Sequence, residues 1–215
     1  MFRVVGGLSL VALAAGLVMA FGVAPREVTQ GNVQRIMYLH VPSVWVAYLA
    51  FAVVLVASIV YLARRLDGAD RLAHASAEVG VLFTGLTIAT GSIWGKPTWG
   101  TWWTWDARLT SVSILFVMYL GYLLLRGMIE DPDQGARYAA VLGIVAAFNI
   151  PLVHFSVYWW RTLHQPPSLM KPGPGTIPGV IVAALMVNFV AFSLLYIYFV
   201  AKRVRLLRRE AEAAA

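Results

Sequence analysis

Four histidines, eight tryptophans and no cysteine bound the chemistry open to this chain of 215 residues. Without thiols there are no thiolate metal ligands, no disulfides and no covalent haem attachment through Cys-x-x-Cys-His. Metal binding then falls to imidazole. His40 closes Gln34-Arg35-Ile36-Met37-Tyr38-Leu39-His40, just ahead of an apolar run in which Pro42 suits a first helical turn. His164 follows Trp159-Trp160-Arg161-Thr162-Leu163, just after another such run, and precedes Gln165-Pro166-Pro167. Neutral imidazole is a common axial ligand of haem iron, and two would close both axial positions. Haem propionates call for Arg or Lys, and Arg35, Lys96, Arg108 and Arg161 lie in the neighbouring segments. His154 lies within an apolar run beside Asn149 and Pro151. An intramembrane ionisable residue reads as functional by default. The local alternative is that His154 or Asn149 satisfies the carbonyl that Pro151 frees. His74 reads as a solvated loop residue.

Trp45, Trp94, Trp99, Trp102, Trp103, Trp105, Trp159 and Trp160 supply a flat apolar surface. The densest stretch runs from Trp94 to Arg108. Pro97 and Gly100 predict that it begins as a loop. Trp99, Trp102, Trp103 and Asp106 then stand at i, i+3, i+4 and i+7, which predicts one face of a short surface helix. Indoles are large and rigid, so such a face suits a planar apolar ligand. The stretch Gly91-Ser92-Ile93-Trp94-Gly95-Lys96-Pro97-Thr98 looks like a phosphate-binding loop, but its glycine spacing is one residue short. Pro97 also stands where a magnesium-binding Ser or Thr is needed. No ATP hydrolysis, and no enzyme activity, is expected of this chain.

The elements that position these residues must be membrane helices. The chain is 60% hydrophobic and 13% charged, too few charges for a soluble surface. Six apolar runs, about 4–23, 41–63, 77–94, 109–125, 138–160 and 177–200, each approach the ~20 residues that cross a bilayer as helix. The ten-residue alternation of a membrane β-barrel is absent. The expected fold is an all-α integral membrane protein, a six-transmembrane-helix bundle forming one domain over 1–215. The first run also fits a signal peptide cleaved before Pro25, but it is longer than usual and reads as a retained helix.

Six crossings put eleven basic residues on one side (Arg3, Arg64, Arg65, Arg71, Arg126, Arg137 and the tail Lys202, Arg203, Arg205, Arg208, Arg209) and six on the other. Positive charge favours the cytoplasm, so both termini are expected inside and the Trp-rich loop or short surface helix outside. In a bacterium this means an inner-membrane protein with its site facing the periplasm. The net charge of +7 leans on that tail. It is therefore read as an anchor at anionic lipid and not as a nucleic-acid surface. All eight tryptophans fall on the outer side, whereas an interfacial belt decorates both. The belt stays as the alternative reading.

The run Trp94-Gly-Lys-Pro-Thr-Trp-Gly-Thr-Trp-Trp-Thr-Trp-Asp-Ala-Arg-Leu-Thr-Ser111 resembles the WWD signature of haem-handling proteins. With the segments 34–42 and 154–165, the whole chain resembles the CcmC family, haem exporter protein C of cytochrome c maturation. The resemblance implies that Trp94, Trp99, Trp102, Trp103, Trp105 and Asp106 cradle haem b, with Arg35 and Arg108 as basic partners. His40 and His164 match the two axial ligands. It implies delivery of haem to the periplasmic chaperone CcmE, with CcmD and the ATPase–permease pair CcmA and CcmB as further partners. The alternatives are a channel carrying haem from cytoplasm to periplasm, and a purely structural subunit.

Overall fold

The computed structural model describes residues 2–165 and 177–214. Among them run seven α-helices: α1 (Phe2–Val18), α2 (Met37–Arg64), α3 (Asp67–Trp99), α4 (Ala107–Met128), α5 (Pro132–Ala147), α6 (Asn149–Trp159) and α7 (Gly179–Ala214). A π-helical turn, Met19–Val23, prolongs α1, and a 3-10 turn, Val33–Ile36, leads into α2. Six stretches are long and apolar enough to cross a membrane, with α5 and α6 together making the fifth. The protein is an all-α, multi-pass membrane protein. Several helical hydroxyls satisfy themselves locally, as lipid demands. Ser9, Ser43, Thr84 and Ser113 donate to the carbonyl four residues back at 2.8, 2.6, 2.7 and 2.9 Å.

Most helices outrun the apolar runs. α3 begins at Asp67 instead of 77, and α7 runs to Ala214 instead of 200. Hydropathy stops where charge begins, but backbone hydrogen bonding does not. Asp67 and Asp70 favour the positive end of the α3 dipole, and Arg208 pairs with Glu212 one turn on at 2.7 Å. The fifth crossing is not one helix. It breaks at Phe148, because Pro151 has no N–H for the carbonyl of Ala147. Asn149 does not serve that carbonyl. Its Nδ2 donates to Ser111 O at 2.8 Å and pins α6 to α4.

Small residues bring the helices close, as membrane packing requires. Arg65 and Leu66 alone join α2 to α3, and Arg65 takes a left-handed turn (φ 53°). A Cβ on Gly80 would lie 2.5 Å from Phe51 Cε1. Phe51 stacks on Tyr119 with ring centroids 3.6 Å apart, and Phe83, Leu115, Tyr122 and Phe192 fill the same buried layer. α1 leans on α7 through Asn188, whose Nδ2 donates to Gly16 O at 3.2 Å.

The basic end is clasped by ion pairs. Arg126 meets Asp70 through both guanidinium nitrogens at 2.7 and 2.6 Å. Arg203 Nε donates to Glu78 Oε2 at 2.6 Å. His74 is not a solvated loop residue. It is helical, half-buried, and 3.3 Å from Glu78 Oε1. The longer α3 explains the difference, since it places residues 74 and 78 on one face. The crossings alternate in direction, so Trp94, Trp99, Trp102, Trp103 and Trp105 stand at the opposite end, where α3 ends and α4 begins, with Trp159 and Trp160 at the end of α6 and Trp45 two turns into α2.

Candidate functional site

His40 does not precede the second helix but lies in the first turns of α2, with Pro42 inside it. Its Nδ1 is 3.0 Å from Thr90 Oγ1 on α3. Its ring meets Trp94 edge-on, with centroids 5.7 Å apart and planes at 76°. A Cβ on Gly91 would lie 2.9 Å from His40 Cε1, so the ring fills the space a side chain would take. Trp94 is fixed in turn by its Nε1–H, which donates to Gln30 Oε1 at 2.8 Å.

Pro97 does not open a loop. α3 carries it to Trp99 and stops at Gly100, whose φ of 80° only glycine adopts easily. Lys96 Nζ donates to Gly100 O at 3.0 Å and closes that end. The expected helix from Trp99 to Asp106 is also absent, since 101–106 is irregular. Ser92 explains why: its Oγ donates to Trp102 O at 2.8 Å and folds the segment back along α3. The indoles therefore form a ledge, not a helix face. Trp103 meets Trp105 edge-on at 5.6 Å, and Trp102 and Trp105 are 56% and 77% exposed.

Asp106 ties the ledge to the second histidine. Its Oδ1 accepts the N–H of Leu109 at 2.8 Å and caps α4. Its Oδ2 accepts the N–H of Leu163 at 2.9 Å. His164, the next residue, rests on Trp99 with ring centroids 4.6 Å apart. Burial and the charge of Arg108 lower the His164 pKa to about 4, with Asp106 opposing. Arg108 lies near enough to act on both imidazoles, and His40 on His164. Arg108 also faces the Tyr48 phenol. Arg35 points elsewhere: its guanidinium donates to the carbonyls of Phe21 and Ala24 and lies over the Phe21 ring, closing the end of the first crossing.

His40, His164, Arg108 and the indoles thus converge from α2, α3, the α3–α4 segment, the first turn of α4 and the segment after α6. Among the described residues no three His, Asp or Glu side chains could cage a free metal ion. Two imidazoles suit iron whose other positions a macrocycle already fills. The gap among Gly91, Trp99, Trp102, Trp103 and Leu163 is only about 10 Å³, room for one water at most. That gap cannot admit a planar macrocycle, and the exposed ledge offers one a surface. The buried Trp103 Nε1, Thr104 Oγ1 and His164 Nδ1 have no hydrogen-bond partner among the described residues.

Other candidates stand apart. His154 is exposed on α6, with Phe155 as ring neighbour. Trp159 and Trp160 are exposed, Trp159 stacking on Phe155, and Trp45 donates to Ser193. These three indoles fit an interfacial belt. Lys171, one of the six basic residues expected on the outer side, lies outside the described residues. Thr90, Gly91, Gln30 and Tyr48 escaped sequence reasoning. A faint signal existed for Tyr48, two turns from His40 on one face of α2.

The family described as "CcmC: Heme exporter protein C" matches residues 1–215. "Heme exporter protein C" of Bradyrhizobium diazoefficiens is 44% identical over 94% of this chain and 77% of its own length. That of Haemophilus influenzae is 41% identical over 95% and 84%. A "Putative cytochrome c biosynthesis ccmC-like mitochondrial protein" of Marchantia polymorpha is 36% identical over 87% and 79%.

Proposed function

The chain belongs to the heme exporter protein C family, and we propose that it presents haem b on the outer face of a bacterial inner membrane for transfer to the periplasmic chaperone CcmE. The family's place in haem handling for cytochrome c maturation supports the cargo. One observation carries the rest: His40 on α2 and His164 after α6, 124 positions apart in the sequence, rest on Trp94 and Trp99 at the same end of α3, within reach of the charge of Arg108.

The residues divide the task. Trp102 and Trp105 offer an open ledge to the macrocycle, and the two imidazoles hold its iron. Arg108 supplies positive charge for a propionate. An open ledge leaves an edge of haem exposed, and that edge is where a chaperone takes hold. CcmD and the CcmA–CcmB pair would supply the assembly and the ATP-driven release that this chain has no motif for. A path for haem through the bundle is disfavoured, because the Phe51–Tyr119 layer fills the interior between the two ends. Vesicles that carry the purified chain, with haem enclosed, test this directly. Haem should stay inside whether or not CcmE is present outside, and haem added outside should load CcmE. Export from the lumen without other subunits would establish the channel instead.

The low pKa of His164 gives a pH dependence. Burial and Arg108 favour the neutral ring, and neutral imidazole is the form that coordinates iron. Haem affinity, titrated by Soret absorbance at each pH, should therefore stay level below pH 6.5 and begin to fall only as pH approaches about 4. An affinity that falls from 6.5 downward would mean that an ordinary, solvated histidine holds the iron.

A further inference from the structure

We propose that Thr90 and Gly91 form a socket on α3 that sets the tautomer of His40, leaving its Nε2 bare for a ligand. The inference deepens the reading of His40 as an iron ligand, but it rests on geometry that does not involve haem.

A threonine hydroxyl has one proton to give. Thr90 Oγ1 is 2.7 Å from Leu86 O and 3.3 Å from Thr87 O, and both carbonyls can only accept. The shorter contact, to Leu86 O, assigns the hydroxyl proton to the backbone of its own helix, and the Thr87 carbonyl that the His40 ring also meets can only accept. His40 Nδ1, 3.0 Å from the Thr90 oxygen, is assigned as the donor. A neutral imidazole with its proton on Nδ1 has none on Nε2, and that nitrogen is left with a free lone pair. Threonine so acts as a proton acceptor in disguise, in the place where metal-binding histidines often use a carboxylate or a carbonyl.

Gly91 makes room for this arrangement. Any Cβ there would press on His40 Cε1 at 2.9 Å. Trp94, one turn beyond Thr90, closes the socket with its ring edge. Thr90 is buried and its partner lies on another helix, so rotation of the imidazole would break its hydrogen bond. Thr90 is thus a positioning residue: it touches the ligand's ring and not the ligand's cargo.

The test uses haem-free protein labelled with 15N-histidine, in detergent at neutral pH, with the His40 signals identified by their loss in His40→Ala. Wild type should show a protonated Nδ1 and a bare Nε2. Thr90→Ser should keep that pattern. Thr90→Val, which has nearly the same shape but no hydroxyl, should lose it and let the two tautomers exchange. Haem affinity should fall roughly tenfold to a hundredfold in Thr90→Val and recover in Thr90→Ser. A wild-type His40 with its proton on Nε2, or a tautomer that ignores Thr90→Val, would overturn the socket. If the tautomer follows Thr90 while His40→Ala still binds haem fully, the socket stands and the ligand assignment of His40 falls.

Discussion

Protein purified with His40 and His164 both changed to alanine should carry no haem Soret band, while its helical content stays that of wild type. Each imidazole is held by residues other than the iron. His40 rests on Thr90 and Trp94, and His164 rests on Trp99. Neither ring is part of the buried hydrophobic layer that holds the bundle together, so removing both empties the site and spares the fold. Losing only the group that hydrogen-bonds a metal-binding histidine costs about tenfold to a hundredfold in metal affinity, and loss of both ligands should cost at least that. The single variants should differ from the double in kind. One remaining imidazole still binds iron, but with one axial position open, which shifts the Soret maximum and the spin state. Full haem content in the double variant would remove both histidines from the site.

The second large effect is expected at Asp106. Asp106→Ala frees two backbone N–H groups at once, that of Leu109 in the first turn of α4 and that of Leu163. Loss of the helix cap should cost about 1 kcal/mol of stability. The larger loss is positional: the hydrogen bond from the segment carrying His164 is gone, the ring contact with Trp99 is left to hold it, and haem affinity should drop roughly tenfold or more. Asp106→Asn caps helices about as well as aspartate and should lie between wild type and alanine. Thermal unfolding and haem titration on the same samples separate the two contributions. Unchanged haem binding in Asp106→Ala would show that His164 is held by other means.

Asp106 also shows how far the sequence could be read. Its place in the Trp-rich run marks it as part of a haem cradle. In the structure both of its oxygens are turned to backbone amides, and only the chain's return from α6 supplies the second. The six crossings were legible because lipid imposes a length and a composition on each. Their ends were not, since Asp67 and the basic tail are charged yet helical. The ledge was misread as a helix because spacing alone is blind to a left-handed glycine and to the Ser92 hydrogen bond. His40 and His164 could be picked out by residue type and position. Thr90 and Gly91 could not: an apolar run offers many threonines and glycines, and only the packing of α3 on α2 singles these out.

The unequal connections have a consequence for biosynthesis. At the basic end, two residues turn α2 into α3, and three turn α4 into α5. Short closures are fast and demand little entropy, so each hairpin can pair as soon as it is inserted. The hydrogen bonds of the site span 50 positions from His40 to Thr90, and 57 from Asp106 to Leu163. The second of these waits for the fifth crossing to leave the ribosome. A nascent chain therefore passes through a stage of paired hairpins with half a site, and becomes able to grip haem between two imidazoles only once the fifth crossing and the segment after it have emerged.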